Sequence, residues 1–490
     1  MPLLSDLMRT VNPLALVHGN ANVTIDAITT DSREVKPGSL FAAMPGVNAD
    51  GAQYIPQALA AGASAILMAE ASRADVIATV PVIRVADMRV AVSALAAAFY
   101  PQQPEFCFAI TGTDGKTSTA DFVRQLAQHH GLDAASLGTL GLRSEHAELN
   151  AHFPAVNTSP EPILLHHTLQ QLADAGVRVA AIETSSHGLD QKRGDGVRFA
   201  AAAFTNLTRD HLDYHGTIEA YAAAKTRLFA QVLGEGKLAV LNHDDAQFAA
   251  LKTLCESRKM RVISFGAAES ADYRIMSVRP HADGLDVVVQ IDLTEYPVSL
   301  PLYGAFQLSN MLAAIGLLQA AGLSDVALLR SLPRLRGVPG RLEKIGMSKT
   351  GAPIFIDYAH TPAALENILK TLRPHTAKKL HVVFGCGGDR DAGKRPEMGA
   401  LASKFADSVI VTDDNPRGEN AAAIRAAILA KAPKAKEIPD RAAAIAAAIQ
   451  NLQAGDVLVV AGKGHETTQI IGNQTLPFND ADEIRKAIAV

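Results

Sequence analysis

Short apolar runs that stop abruptly at glycine and polar residues recur from the middle of this sequence to its end, and they set its fold class. FCFAITG, RVAAIET, AAAFTNL and LAVLNH occupy the middle, and PIFIDYA, KLHVVFGCG, DSVIVTDD and DVLVVAGKG follow near the end. Each is too short for a core helix and shows little polar alternation, as strands covered on both faces require. Stretches with helical spacing lie between them, KTSTADFVRQLAQHHG and IEAYAAAKTRLFAQVL among them. Strand–helix alternation of this kind predicts parallel α/β sheets. In such sheets ligands bind beyond the carboxyl ends of the strands, so the polar clusters that end these runs are candidate site residues.

Length divides the problem. At roughly 150 residues per domain, 490 residues predict three domains, each able to bury a core. Pro101-Gln-Gln-Pro104 ends the helical run VAVSALAAAFY, and Gly337, Pro339 and Gly340 crowd the stretch LRGVPGR. The predicted domains are therefore 1–104, 105–336 and 337–490, the first read as mixed α/β. The Ala-rich stretch 421–449 reads as helix, and no repeat has a fixed period.

Composition then excludes classes. With 48% apolar and 20% charged residues, 36 Gly and 24 Pro, the chain is neither disordered, collagen-like nor a coiled coil. A net charge of −4 provides no general basic field for a nucleic-acid backbone. Cys107, Cys255 and Cys386 are scattered and odd in number, which argues against a disulfide framework or cysteine zinc site and for a reducing cytoplasm. No apolar stretch reaches the ~18 residues of a membrane span, the N-terminal MPLLSDLMRTVNPLALVHG included. A soluble cytoplasmic protein is expected, and nothing demands more than a monomer.

The sharpest local pattern is Ala109-Ile-Thr-Gly-Thr-Asp-Gly-Lys-Thr117, a strand running into a glycine loop and a helix. Gly112 and Gly115 let backbone N–H groups turn toward a polyphosphate, Lys116 reaches its outer oxygens, and the Thr117 hydroxyl suits Mg²⁺. The usual phosphate loop has glycine where Ile110 stands, so the match is to a shorter variant.

Further polar clusters end the neighbouring strands. Glu183 in Ile182-Glu-Thr-Ser-Ser-His-Gly188 and His211 in Thr205-Asn-Leu-Thr-Arg-Asp-His-Leu-Asp-Tyr-His-Gly216 can complete the shell of a magnesium ion held partly by phosphates. The bland reading of His211 is a loop cap, and His187 and His215 read as structural. Lys225, a lone lysine on a helix, reads by itself as a solvated surface charge. Asn157-Thr-Ser-Pro160 offers hydroxyls and an amide to a polar ligand, and Gln191 and Arg193 bring a cation near the expected γ-phosphate.

TGTDGKT, ETSSHGL, TNLTRDHLDYHG with AAAKTRLF, GAFQLSN, DYAHTP, FGCGGDRDAGKRP, TDDNPR and AGKGHE occur in that order. Together they resemble the Mur ligases of peptidoglycan synthesis, most closely the diaminopimelate-adding type, from Thr30-Asp-Ser-Arg33 to AGKGHE. The resemblance implies an N-terminal domain for a UDP-sugar, a central ATPase with a phosphate-loop parallel sheet, and a Rossmann-like C-terminal domain. It implies a reaction in which ATP phosphorylates a substrate carboxylate and an amine then displaces the phosphate. An acyl phosphate carries a good leaving group where a carboxylate does not, so the enzyme's share is positioning and charge neutralisation.

Motif by motif, the resemblance gives Gly112, Thr113, Asp114, Gly115, Lys116, Thr117 and Ser118 to ATP, with Asn310, Arg341 and Asp357 at the base and ribose. Glu183 and His211 match ligands of the family's Mg²⁺ ions. Lys225 matches the lysine that carries a CO₂-derived carbamate, an anion able to support a second Mg²⁺, in place of the surface reading. Thr30, Ser32 and the loop Val47-Asn48-Ala49 correspond to the uridine end. Asn157, Thr158, Ser159, Ser185, Gln191 and Arg193 correspond to the muramoyl dipeptide. Asp114 departs from the family's usual asparagine, and a carboxylate beside polyphosphate is repulsive unless it points outward or meets the metal.

The amine pocket implied by the resemblance comprises Arg390, Asp414, Asn415, Arg417, Gly462 and Glu466. Its chemistry suits meso-diaminopimelate, whose far end bears both a carboxylate and an ammonium. Forked cations meet the first, and acids meet the second. Asp-Asn-Pro-Arg is also an ordinary turn sequence, which accounts for Asn415 and Pro416 but less readily for the flanking charges. Three alternatives stay open: a folylpolyglutamate synthetase-like ligase, a lysine-adding Mur ligase, and a nucleotide-dependent binding protein without ligation.

Overall fold

The computed structural model describes residues 1–11, 16–46, 50–72, 79–153 and 157–489. They form two compact units, one of residues 1–266 with 312–325 and the other of 267–311 with 326–490.

The first unit begins with a five-stranded sheet in the order Leu16–His18, Val82–Val85, Ala65–Ala69, Ser39–Ala43, Ala27–Thr29. Alternate residues serve its two faces: Leu40, Ala42, Leu67 and Ile83 pack on one core, Phe41, Ala43, Ile66 and Met68 on the other. The helix Met88–Phe99 starts at Asp87, whose carboxylate accepts the Arg89 and Val90 N–H groups, and it stops before Pro101. Asp87 also pairs with Lys192, which ties this cap to the segment after ETSSHGL.

The central sheet of this unit runs Gly141–Arg143, Ala134–Gly138, Val179–Glu183, Phe106–Thr111, Phe199–Phe204, Leu238–Asn242, Arg261–Gly266. All neighbours are parallel except the first pair. Each middle run expected to be a strand is one. Ile110 pairs with Glu183, and Thr111 with Phe204, so three strands end level with one another. The helix Lys116–His129 leaves that end, and Ile218–Arg227 continues into a wider π-helical turn at Leu228–Val232 that buries Leu228 and Phe229. The bulge begins at Leu228, one residue beyond the helix that carries Lys225, and such bulges are common at functional sites.

In the second unit an antiparallel meander, Tyr273–His281, Gly284–Ile291 and Thr294–Leu300, was not legible in the sequence. Its burial alternates on a half-exposed sheet rather than forming an apolar run. The six-stranded sheet runs Glu343–Met347, Pro353–Asp357, Val457–Ala461, Leu380–Phe384, Ser408–Val411, Lys436–Glu437, parallel after its first pair. Phe355, Val382, Phe384 and Val459 face the helices Pro362–Leu372, Lys394–Phe405 and Ala421–Leu429. Ile354, Ile356, Val383 and Val460 face Arg441–Gln450 and Asp480–Ala489. Two-sided burial explains why these strands read as unbroken apolar runs. The Ala-rich stretch is two helices, capped by Asn420 and Asp440. Among the described residues no helix is long and apolar enough to cross a membrane.

Candidate functional site

In the first unit the phosphate loop is clamped by the cluster that ends the adjacent strand. Thr113 N–H donates to Asn206 O at 2.9 Å and Asp114 N–H to Asn206 Oδ1 at 2.9 Å, while Thr205 Oγ1 donates to Asp114 O at 2.6 Å. Gly112 has φ +147°, and a Cβ there would fall 1.9 Å from Thr205 Oγ1, so this close approach requires glycine. Gly115, at φ +86°, leads into the helix, with Ser118 buried in its first turns. The Asp114 side chain is exposed, and only its backbone enters the clamp. Its charge still acts on Lys225, whose ammonium it favours.

Two lysines converge on one carbonyl. Lys116 Nζ donates to Gly112 O at 3.0 Å and Thr113 O at 2.7 Å, and Lys225 Nζ donates to the same Gly112 O at 2.6 Å. Lys225 is not a surface charge: it is 1% exposed, 4.5 Å from the Tyr221 ring centre. Burial, followed by the Lys116 charge, pulls its ammonium down to about 6. Near neutral pH it is mostly an uncharged amine, which is nucleophilic. Its helix turns it inward because Tyr221 and Lys225, four residues apart, share a face.

Glu183 is the buried carboxylate of this cluster, 2% exposed. Its Oε2 accepts the Thr117 hydroxyl at 3.0 Å and the Thr139 hydroxyl at 3.1 Å, and its Oε1 accepts Thr139 N–H at 2.9 Å. Burial pushes its pKa up, while Lys116 and these donors oppose the rise. Gly138 allows the approach, since a Cβ there would lie 2.0 Å from Oε1. Thr139 Oγ1 lies 3.2 Å from Thr158 Oγ1, so hydroxyls run from the Asn157-Thr-Ser loop to Thr117.

One carboxylate and one hydroxyl suit a hard cation that draws its other ligands from phosphate and water. Among the described residues no group of three or more His, Cys, Asp or Glu side chains is arranged to hold a metal by itself. The donor set fits Mg²⁺ only as a partner of the nucleotide. His211 stands in a left-handed conformation, φ +51°, with its ring 3.4 Å from Asp210 and against His187 and Tyr221. His187 and His215 join the same aromatic cluster, and burial lowers the pKa of both.

The muramoyl-dipeptide candidates gather around Ser159. Its hydroxyl donates to Glu183 O at 3.0 Å and accepts Ser185 N–H at 2.8 Å, and Ser185 caps the next helix through Gly188 N–H. Arg193 donates to Ser159 O at 2.7 Å, holds Gln191 Oε1 and pairs with Glu161 at 2.7 Å. Asn157 is exposed. Further toward the N-terminus, Thr30 is exposed and Ser32 donates to Gln57 Oε1 at 3.1 Å. Val47, Asn48 and Ala49 lie outside the described residues.

The second unit carries the other candidates. Asp357 is buried, and that burial raises its pKa to about 6 against the pull of Arg341. Its oxygens accept Leu342 N–H at 2.7 Å and Ala359 N–H at 2.8 Å. The Arg341 guanidinium lies 5.3 Å from the Tyr358 ring centre. Asn310 is buried and donates to Gln307 Oε1 at 3.2 Å.

Asp414, Asn415, Arg417, Gly462 and Glu466 do come together. A Cβ on Gly462 would lie 2.7 Å from Asp414 Oδ2, and Asn415 Nδ2 donates to Glu466 Oε2 at 3.0 Å. Arg417, at φ +50°, donates to Gly388 O at 2.8 Å. Arg390 is exposed beside Asp389, whose carboxylate accepts Gly418 N–H at 2.9 Å.

Thr139, Gly138, Asn206 and Lys463 escaped the sequence reading. Asn206 and Lys463 sit inside quoted motifs, which was signal enough to find them. Thr139 and Gly138 gave none, because only the fold brings their strand beside Glu183.

Three family models match the chain. The Mur ligase family catalytic domain matches residues 24–100, the Mur ligase middle domain 110–318, and the Mur ligase glutamate ligase domain 340–464. The UDP-N-acetylmuramoyl-L-alanyl-D-glutamate--2,6-diaminopimelate ligase of Rhizobium meliloti (strain 1021) is 48% identical over 476 residues, covering 96% of this chain and 95% of that protein. The ligase of the same name from Caulobacter vibrioides (strain ATCC 19089 / CIP 103742 / CB 15) is 48% identical over 466 residues, 95% of each. A solved structure of a ligase with that name superposes with a TM-score of 0.71 at 33% identity, covering 95% of both chains.

Proposed function

The chain belongs to the Mur ligase family, and from that premise we propose that it is an ATP-dependent ligase joining meso-diaminopimelate to the D-glutamate carboxylate of UDP-N-acetylmuramoyl-L-alanyl-D-glutamate. The observation that carries the reading is the convergence of Lys116 and Lys225 on Gly112 O, beside the hydrogen-bonded pair Thr117 and Glu183. It has what phosphoryl transfer to a carboxylate needs: a cation, Lys116, for developing charge, and a hydroxyl and a carboxylate for a metal-bound nucleotide.

In this reading the loop N–H groups and Lys116 hold the β- and γ-phosphates of ATP. Thr117 and Glu183, with His211, would hold Mg²⁺, which supplies charge neutralisation at the phosphates. Asn310, Arg341 and Asp357 take the base and ribose. Lys225, uncharged through burial, reacts with CO₂ to give a carbamate, releasing a proton and turning a would-be cation into an anion for a second ion. Ser159, Ser185, Gln191 and Arg193 orient the muramoyl dipeptide, and Ser32, Thr30 and residues 47–49 its uridine end. The carboxylate attacks the γ-phosphorus and ADP leaves. The amine then attacks the acyl phosphate, forming the amide and releasing inorganic phosphate. Arg417 and Arg390 receive the distal carboxylate of the diamino acid, and Asp414 and Glu466 its distal ammonium. A lysine-adding enzyme would leave both arginines without a carboxylate.

Carboxylate-labelled ¹⁸O substrate tests the central step: one label must appear in the released phosphate. Phosphate release should need the muramoyl dipeptide and be strong with diaminopimelate and weak with L-lysine. Unlabelled phosphate refutes acyl-phosphate formation, and release with a folate and glutamate instead refutes the substrate assignment.

A further inference from the structure

Lys463 lies in AGKGHE, from which the proposed function draws only Glu466, and its side chain is fully buried. A buried ammonium must find partners for all three of its protons. Lys463 donates to Thr468 O at 2.7 Å, Asn415 Oδ1 at 2.9 Å and Glu466 Oε2 at 3.3 Å. The same Asn415 oxygen accepts Ile470 N–H at 3.0 Å. Neither an ammonium nor a backbone N–H can accept, so the two donors dictate which end of the Asn415 amide is oxygen. Its NH₂ is left to face Glu466 Oε2, to which it donates at 3.0 Å.

Glu466 is thereby held through one oxygen. Oε2 takes both Lys463 and Asn415, whereas among the described residues Oε1 takes no hydrogen bond, and the side chain remains 31% exposed. A second buried cation supports the same loop. Arg441, 1% exposed, pairs with Asp480 through two bonds of 2.7 Å and donates to Ala461 O, the residue before Gly462, at 3.0 Å.

We propose that Lys463 is a positioning residue for amine selection: it locks Asn415 and Glu466 so that Glu466 Oε1 is presented to the distal ammonium of the diamino acid. The inference rests on the reading of this pocket as the diaminopimelate site. Lys463 touches no substrate in it. Without Lys463 the Asn415 oxygen keeps only the Ile470 N–H of its two donors, and Glu466 loses its internal counter-charge.

The test compares diaminopimelate with 2-aminopimelate, which keeps the distal carboxylate and lacks the distal ammonium. Lys463→Met should raise the KM for diaminopimelate roughly tenfold or more, the usual scale for a charge-assisted contact. The KM values for 2-aminopimelate and ATP should stay within about twofold. Equal rises for both amines overturn the proposal, because general damage to the pocket moves both. Lys463→Gln, which keeps a donor for Asn415 but no charge, should show the same pattern, and serves where the methionine variant does not fold. Glu466→Gln on the same panel separates the two levels of inference. It should erase the preference for diaminopimelate over 2-aminopimelate. If it does not, the pocket assignment fails. If it does while both Lys463 variants behave as the native chain, only the role of Lys463 fails.

Discussion

Lys225→Met keeps the length and apolar stem of the side chain and removes only the amine. In the folded chain that amine titrates near 6, against 10.5 for a free lysine, because burial and Lys116 disfavour its charge. Folding therefore releases a proton between these values. The sign follows from linkage: stability falls as pH drops from 10.5 toward 6, by about 1.4 kcal/mol per pH unit, and levels off below. At pH 8 the penalty is roughly 3 kcal/mol. The variant escapes it but loses the 2.6 Å hydrogen bond to Gly112 O, worth about 1 kcal/mol. A net stabilisation of roughly 2 kcal/mol is expected at pH 8, larger at pH 7 and gone near pH 10, with turnover abolished. Urea unfolding of both chains at pH 7, 8 and 9 in CO₂-free buffer measures the first effect, and phosphate release the second. ¹³C-bicarbonate should add a carbamate resonance to the native chain and none to Lys225→Met. A variant less stable than the native chain by the same amount at every pH would refute the reasoning.

Lys116→Ala should lower kcat by about a thousandfold or more, since it removes the cation beside the transferring phosphoryl group; a near-native kcat in the phosphate assay rejects the loop assignment. Gly138→Ala places a Cβ 2.0 Å from Glu183 Oε1 and must displace that carboxylate. The Mg²⁺ concentration for half-maximal phosphate release should rise severalfold, and an unchanged midpoint counts against Glu183 as a ligand. Arg417→Ala should raise the KM for diaminopimelate by about 10- to 100-fold, from the loss of roughly 1.5–3 kcal/mol of charge-assisted bonding, with the KM for ATP unmoved. A change confined to ATP would put the amine elsewhere.

Local chemistry made much of this protein legible before any coordinates. Strands covered on both faces must be apolar throughout, so FCFAITG, RVAAIET, KLHVVFGCG and DVLVVAGKG announced themselves, and with them the parallel sheets. The loop Gly112–Thr117 was readable because turning backbone N–H groups toward phosphate demands glycine at fixed spacing. The meander 273–300 was not, because a sheet with one wet face dilutes its apolar signal. Nor could sequence decide the state of Lys225: residue type and helical position alone indicate a surface charge. Tertiary structure decided it, by covering that amine with the loop and setting Lys116 beside it. The same holds for Thr139 at Glu183 and for Lys463 beneath Asn415, residues 44 and 48 positions apart along the chain. Spacing along a chain encodes what one element can do, whereas burial and charge at a site depend on which elements the fold brings together.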